Sequence, residues 1–421
     1  MDISYILDNK ELYKNVLDKR FMNSGIIDDI VSLHTKYCKK IHDEKEKRRL
    51  KNILSKLVAK KQSNEDLEYV KDIVRDLSKE NVIQVSKELT QSIKTDEEEK
   101  DKLFEERNSL VFKLPNLLHD SVPVDKNEDN NKVVYENGMI ESKEPEDHAT
   151  LVTKFNFVRL APDISGHRAY VLCNDAVRLN YALMLYGLDF MKKKGFDIMY
   201  TPHFVNNDVM KKVCQLSDFE ESLYELKDEN KFLIATSEQF ITAYNSNKTF
   251  HDLPVKQCGV STCFRKEAGA AGRDTTGIFR VHQFEKVEQF AITEQSNSYE
   301  MMEELISNAM EFYDSLGLSY RVVNIVSGAL NNAASKKYDL EGWFPGSGRF
   351  RELVSCSNTL DYFSRRLNIK DKHGKYVHML NSTLYANTRT LSCIFETYQH
   401  EDKILVPDVL IPYFGNKEIT K

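Results

Sequence analysis

The stretch FRKEAGAAGRDTTGIFRVHQFEKVE, residues 264–288, sets Arg265 and Glu267 ahead of a run of alanine and glycine. Arg280, His282, Phe284 and Lys286 follow that run. The flanks KQCGVSTCFRKE and IFRVHQFEKVEQF alternate in steps of two, which predicts two strands joined by a loop over 268–277. On that reading Arg265 and Glu267 share one face of the first strand, and the four later residues share one face of the second. A guanidinium is a planar fork that grips phosphate with two hydrogen bonds, and an aromatic ring offers a stacking surface to a purine. The types and spacing therefore fit a flat, phosphorylated ligand, although a surface hairpin laced with ion pairs would use the same residues. A second glycine-rich segment, PGSGRF (345–350), lacks the lysine and following helix of a phosphate-binding loop and reads as a turn.

The rest of the chain has to hold that hairpin. Its 421 residues are 41% apolar and 29% charged, with a formal charge of −6, which suits a folded protein of two or three domains. Net charge alone gives no sign of a nucleic-acid binder, so local patches must decide. Seven cysteines at scattered positions, with no CxxC pair, fit a reducing compartment and predict neither a disulfide framework nor a zinc site. The N-terminus MDISYILDNKELYKN carries acidic residues and no long apolar run, and no stretch approaches the ~20 apolar residues of a membrane span. The expectation is a cytoplasmic protein with no membrane partner.

Residues 26–114 hold no glycine or proline and are rich in Lys, Glu, Leu and Ile. Apolar residues at three- and four-residue steps (Ile30, Leu33, Tyr37, Ile41, then Val82, Val85, Leu89, Ile93) predict two helices of about 35 residues, each near 50 Å at ~1.5 Å per residue. They would pair as an antiparallel hairpin over 26–115, with a short helix over 64–78 at its tip. Charge supports that pairing: HDEKEKRR (42–49) and TDEEEKD (95–101) interrupt the two stripes at similar heights and would face each other. Residues 36–61 hold eleven Lys and Arg against three Asp and Glu. Such a basic stripe suits a phosphate backbone, a solvated helix face or a dimerising coiled coil.

From Pro115 the composition turns to proline, asparagine and aspartate, as in PNLLHDSVPVDKNEDNNKVVYENG, which predicts a linker over 117–146. The expected organisation is an N-terminal domain over 1–116, this linker, and an α+β domain over 147–421.

Five segments in order carry a resemblance. Residues 264–288 resemble motif 2 of the class II aminoacyl-tRNA synthetases, in the form found in the seryl-tRNA synthetase family. GHRAYVLCNDAVRLNYALMLYGLDFMKKKGFDIMYTP (166–202) resembles motif 1, and HMLNSTLYANTRTLSCIFETYQ (378–399) resembles motif 3. LSDFEESLYEL…FLIATSEQFITA (216–243) resembles the serine-binding region, and DLEGWFPGSGRFRELVSCSN (339–358) the metal-binding strand. The long arm and LLHDSVP match as well, so the resemblance spans nearly the whole chain. The wording of STCFRKE, VNIVSGALNNAASKKYDLEGWFPGSG and HMLN resembles the eukaryotic cytosolic form.

The resemblance implies an antiparallel β-sheet flanked by helices, with an N-terminal coiled-coil arm, in a homodimer. It implies that L-serine and ATP give seryl-adenylate, and that serine then passes to the 3′ end of tRNA(Ser), and of tRNA(Sec) where that exists. It gives Arg265 the α-phosphate of ATP, Arg389 the γ-phosphate, and Arg280 the phosphates or the serine carboxylate. Phe284 would stack under the adenine with Glu267 at the adenine or its neighbourhood, Val281 would line the ATP site, and Glu352 and Ser355 would hold Mg2+, with no zinc expected. Thr236, Glu238, Glu288, Asn381 and Thr383 would surround the serine, together with Arg265. The arm would grip the long variable arm of the tRNA through Lys36, Lys39, Lys40, Lys47, Arg48, Arg49 and Lys51, while the 268–277 loop meets its acceptor stem. Thr359, Phe363 and Ser382 depart from the family's usual residues. A ligase that charges a carrier protein would share the core and lack the arm.

Overall fold

The computed structural model describes residues 3–71, 73–74, 76–139, 144–214, 222–268, 274 and 276–421. Two compact units emerge, Met1–Asp18 with Met22–Leu114, and Lys19–Phe21 with Pro115–Lys421.

The first unit is dominated by an outgoing helix, Ile26–Val58, and a return helix, Lys79–Lys113, packed along their lengths. The tip helix is shorter than expected, Asn64–Lys71, and Ser78 starts the return helix by accepting a hydrogen bond from the Asn81 amide at 3.4 Å. Leu50, Ile53, Leu54, Val70, Val74 and Val82 bury one another at that end. The two charged interruptions do face each other. Lys40 reaches Asp96 at 3.0 Å, Lys100 reaches Glu44 at 2.7 Å, and Arg48 pairs with Glu97. Arg107, in the apolar stripe of the return helix, is buried by lying over the rings of Tyr37 and Phe104.

This seam has a pH consequence. Lys47, opposed by partial burial and aided by Lys40, holds the Asp96 carboxyl below its ordinary 3.8; Lys100 and Arg48 do the same for Glu44, ordinarily 4.5. A carboxyl depressed by folding adds stability above its unfolded value and loses it as pH falls through its folded value. Protection factors of the amides along the seam should therefore fall on acidification below about pH 4, and more modestly in 1 M salt at neutral pH. Unchanged protection down to pH 2 would contradict this.

The second unit is built on eight strands: β1 (Lys132–Glu136), β2 (Asp197–Tyr200), β3 (Val255–Phe264), β4 (Gln283–Thr293), β5 (Tyr320–Asn324), β6 (Lys336–Phe344), β7 (Arg349–Asn358) and β8 (His378–Ala386). Their order is β1-β5-β6-β7-β8-β4-β3-β2, antiparallel except for β2 beside β3. The helices packed against the sheet include Asp175–Lys193, Ser298–Ser315 and Asn387–Tyr398. Ser298–Ser315 buries Met301, Met302, Leu305, Ile306, Ala309, Phe312 and Tyr313, the spacing of one helical face.

Part of the stretch expected as a linker belongs to the sheet. Residues 132–136 form β1, the edge strand beside β5, and Val122 is buried with Val323, Ile325, Leu330 and Ala334. All five side chains of β1 are exposed, and beyond the Tyr135 ring 5.9 Å from that of Tyr320 it is held chiefly by backbone hydrogen bonds, which leaves no apolar alternation to read. Residues 140–143 lie outside the described residues.

Candidate active site

The strands β3 and β4 pair antiparallel, with Phe264 opposite Gln283, and so end earlier than the sequence pattern suggests. Arg265, Glu267, Arg280 and His282 therefore leave the strands and stand in the irregular mouth of the hairpin. Arg265 and His282 close it: the Arg265 amide donates to the His282 carbonyl, and the His282 ring nitrogen lies 2.9 Å from the Arg265 carbonyl. Glu267 sits at φ +54, a left-handed conformation, and takes an ion pair from Arg280 at 2.7 Å. Residues 269–273 and 275 of the glycine loop lie outside the described residues. Asp274 is held by Arg280, Arg349 and Arg351, and its carbonyl accepts from Arg168.

Two β-bulges decide which side chains meet in the pocket. Glu352 and Ser355 are three residues apart, an odd spacing that puts them on opposite faces of a regular strand. On β7, however, Glu352 pairs with Glu341 and Val354 with Leu340, so Leu353 is one residue too many. That extra residue brings Glu352 round to the face of Ser355. Between β4 and β8, Val287 pairs with Tyr385 and Glu288 with Thr383, leaving Leu384 as the extra residue and Glu288 against Thr383. Across β3, Glu288 faces Gly259, where a Cβ would lie 2.3 Å from Ser237 Oγ. Only glycine lets the helix Ser237–Tyr244 approach so closely. Thr236 caps that helix, its hydroxyl accepting from the Glu238 amide at 3.3 Å.

The outcome is one cavity of about 380 Å³. Its walls include Arg265, Glu267, Arg280, Val281, Phe284, Glu352, Ser355 and Arg389, and also Thr236, Glu238, Glu288, Asn381 and Thr383. Every residue proposed from sequence for ATP, metal or serine is thus brought together. Thr359 and Phe363 line the same cavity, and Ser382 is fully buried. Lys286, Lys337 and Asp339 were not assigned roles from sequence. Lys286 and Lys337 line the cavity, and Asp339 lies opposite Ser355 in the β6–β7 register.

Charge divides the cavity. The guanidinium of Arg265 lies 5.2 Å from the Phe284 ring centre, and Arg389 lies 3.2 Å from the Glu352 carboxylate and 4.9 Å from the Phe279 ring centre. Although the Glu352 side chain is 43% exposed, the protein around it would raise its carboxyl; Arg389, Lys337 and Arg265 outweigh that and hold it down at about 2. At the other end Glu288 is fully buried, and burial raises its carboxyl despite its ion pair with Lys286 and the nearby Arg265 and Thr383. Asp339 is pushed up to about 7 by burial and by Glu352, against the pull of Lys337.

Glu352 and Ser355 offer the hard oxygen donors that Mg2+ selects. Asp339 beside them keeps a buried Oδ1 with no hydrogen-bond partner. Among the described residues no group of three His, Cys, Asp or Glu is set to hold a metal ion. The donors therefore fit an ion that completes its shell from phosphate and water, as Mg2+ does.

On the arm, Lys40, Lys47 and Arg48 are engaged with acidic residues of the return helix. They do not form the single outward stripe expected. Lys36, Lys39 and Arg49 are exposed, and Lys51 is half-buried.

Residues 222–398 match the tRNA synthetase class II core domain (G, H, P, S and T), and residues 1–118 match the seryl-tRNA synthetase N-terminal domain. The cytoplasmic serine–tRNA ligase of Dictyostelium discoideum is 50% identical over 356 residues, covering 80% of this chain and 78% of that one. The solved cytoplasmic serine–tRNA ligase of Naegleria fowleri in complex with AMP superposes with a TM-score of 0.85 at 41% identity, covering 100% of this chain and 98% of that one. The seryl-tRNA synthetase of Pyrococcus horikoshii complexed with ATP superposes with a TM-score of 0.89 at 36% identity, covering 100% and 99%.

Proposed function

The chain belongs to the seryl-tRNA synthetase family, and on that footing we propose how its pocket performs the two steps of a class II serine–tRNA ligase. The observation that carries the assignment is the division of the cavity into a cationic half, with Arg265 and Arg389, and a half closed by the buried Glu288. ATP occupies the first half and L-serine the second. The serine carboxylate attacks the α-phosphorus in line, the bond to the β-phosphate breaks, and pyrophosphate leaves with its electron pair. The nucleophile is already an anion, so no general base is needed. What the chain supplies is alignment and fixed positive charge.

Arg265 holds the α-phosphate and Phe284 the adenine ring, with Glu267 and Val281 nearby. Arg389, braced by Glu352, holds the far phosphates, and Arg280 neutralises the remaining charge. Glu352 and Ser355 hold Mg2+, which when bound offsets phosphate charge. In the second step a hydroxyl at the 3′ end of tRNA(Ser) attacks the adenylate carbonyl, and AMP leaves.

Selection of serine follows from unpaired polar groups. Glu238, Glu288, Thr383, Thr236 and Asn381 divide the substrate ammonium and hydroxyl among them. Alanine would leave some of these groups buried without a partner, a penalty worth roughly 10⁴-fold or more in comparable sites. Threonine is refused by lack of room.

The relatives reported above include cytoplasmic enzymes, and we place this one in the cytoplasm. A homodimer is supported by the exposed apolar residues Tyr181 and Leu185 of the helix Asp175–Lys193 and Tyr200 of β2. Serine-dependent ATP–pyrophosphate exchange is the direct test: exchange is expected with serine and more than a thousandfold less with alanine or threonine. Exchange with none of the three, or equally with all, would overturn the reading.

A further inference from the structure

We propose that Asp339 is a positioning residue of the cation site and that Lys337 is its built-in counter-cation. Asp339 would hold its free oxygen for a water bound to the ion. This rests on the assignment of Glu352 and Ser355 to Mg2+ given above. The register of β6 and β7 sets Lys337 opposite Ser357 and Asp339 opposite Ser355, so these four side chains share the face that the bulge at Leu353 also gives to Glu352.

The two carboxylate oxygens of Asp339 have different fates. Oδ2 accepts from Lys337 Nζ at 3.0 Å, whereas Oδ1 is buried and has no hydrogen-bond partner. The side chain is 10% exposed. A carboxylate oxygen left bare in so buried a place is costly unless something arrives to meet it. Lys337 is engaged with Oδ2 and Arg389 with Glu352, and the Ser355 and Ser357 hydroxyls across the ladder do not reach Oδ1. An incoming group must therefore bring its own hydrogen or positive charge. Mg2+ sheds its waters reluctantly, and a water on the ion supplies both. The partners of a metal-bound group, outside its direct ligands, commonly set affinity as strongly as the ligands do.

Lys337 gives the arrangement a sign. Its ammonium is close enough to feel both Asp339 and Glu352, so it balances two carboxylates that would otherwise repel. A divalent ion at Glu352 competes with that ammonium for the same charge. Removing the lysine charge should therefore strengthen ion binding, and removing the aspartate charge should weaken it.

Mn2+, used as the probe with the full chain and a non-hydrolysable ATP analogue, can be followed by electron paramagnetic resonance. Asp339→Asn is expected to weaken Mn2+ binding tenfold to a hundredfold. It should also raise the Mg2+ concentration that gives half-maximal exchange, with high Mg2+ restoring the rate. Lys337→Met is expected to tighten Mn2+ binding several-fold. Glu352→Gln, a control on the parent assignment, should abolish it. If Glu352→Gln abolishes binding while Asp339→Asn stays within twofold of the parent, or Lys337→Met weakens binding, the proposal fails and the parent assignment stands. If Glu352→Gln binds Mn2+ normally, the parent assignment falls, and the proposal with it. Should Asp339→Asn fail to fold, the opposite sign required of Lys337→Met decides the matter alone.

Discussion

Arg265→Ala should lower kcat/KM for serine-dependent ATP–pyrophosphate exchange by 10²–10³, about 2.7–4 kcal/mol, the usual loss when a donor aimed at developing charge is removed. The geometry makes this arginine the hinge between the two halves of the cavity. It lies over Phe284 on the nucleotide side, and its charge reaches both Glu352 and Glu288. Its own hold on the protein is slight, a 3.4 Å contact from Nε to the Ala235 carbonyl, so the fork stays free for a ligand. Removing it also leaves the buried Glu288 with Lys286 as its main counter-charge, and the Glu288 carboxyl should rise further. The serine KM should then increase along with the ATP KM. Arg265→Lys keeps the charge and loses the bidentate fork, so it should recover less than a tenth of the lost activity. Full recovery by lysine, or a loss under tenfold in the alanine variant, would remove Arg265 from the role given to it.

The sequence revealed residue types and order far better than it revealed faces. Arg265 and Arg280 could be picked out because charge and spacing within one segment mark them, Glu288 and Arg389 followed only from the family resemblance, and all four line one cavity. What spacing could not give was the pair of bulges. Counting by twos puts Glu352 and Ser355 on opposite faces, and only the extra Leu353 in the pairing reverses that. Lys337 and Asp339 carry no mark for a related reason: KKYDL reads as ordinary strand alternation, and its meaning comes from the residues it pairs with. The left-handed turn at Glu267 is likewise invisible in FRKE, since a non-glycine residue gives no sign of adopting it. The arm behaved differently. Its two charged interruptions are complementary in sign and symmetric about the turn, so a long-range pairing was written into local composition. The exposed strand β1 is the converse case, held chiefly by backbone bonds that leave no side-chain signature.

The seam narrows the arm's candidate tRNA-binding face, and Lys39→Glu with Lys45→Glu and Arg49→Glu should abolish charging of tRNA(Ser) at physiological salt while leaving serine-dependent exchange untouched. Basic residues on the outgoing helix fall into two sets. Lys40 and Lys47 share Asp96, and Arg48 joins Glu44 and Glu97, so much of their charge is answered within the arm. Lys39, Lys45 and Arg49 are exposed, and Arg49 lies 4.4 Å above the ring of Tyr69. Lys45 and Arg49 line a shallow hollow with Asn52, Lys56 and Asp66, where Lys56 is paired with Asp66 at 3.2 Å and Lys45 and Arg49 are left to meet a phosphate backbone. Phosphate contacts release counter-ions, each adding about 0.9 to the slope of log affinity against log salt on duplex. The triple reversal should therefore reduce that slope by about 3 and raise the tRNA KM by several orders of magnitude at 150 mM salt. Reversing Lys40 and Lys47 instead should chiefly lower the thermal midpoint of the arm, because it sets like charges against Asp96. Charging that survives the triple reversal, or a salt slope that does not move, would take the outgoing helix out of tRNA recognition. Loss of exchange along with charging would show that the substitutions had damaged the fold.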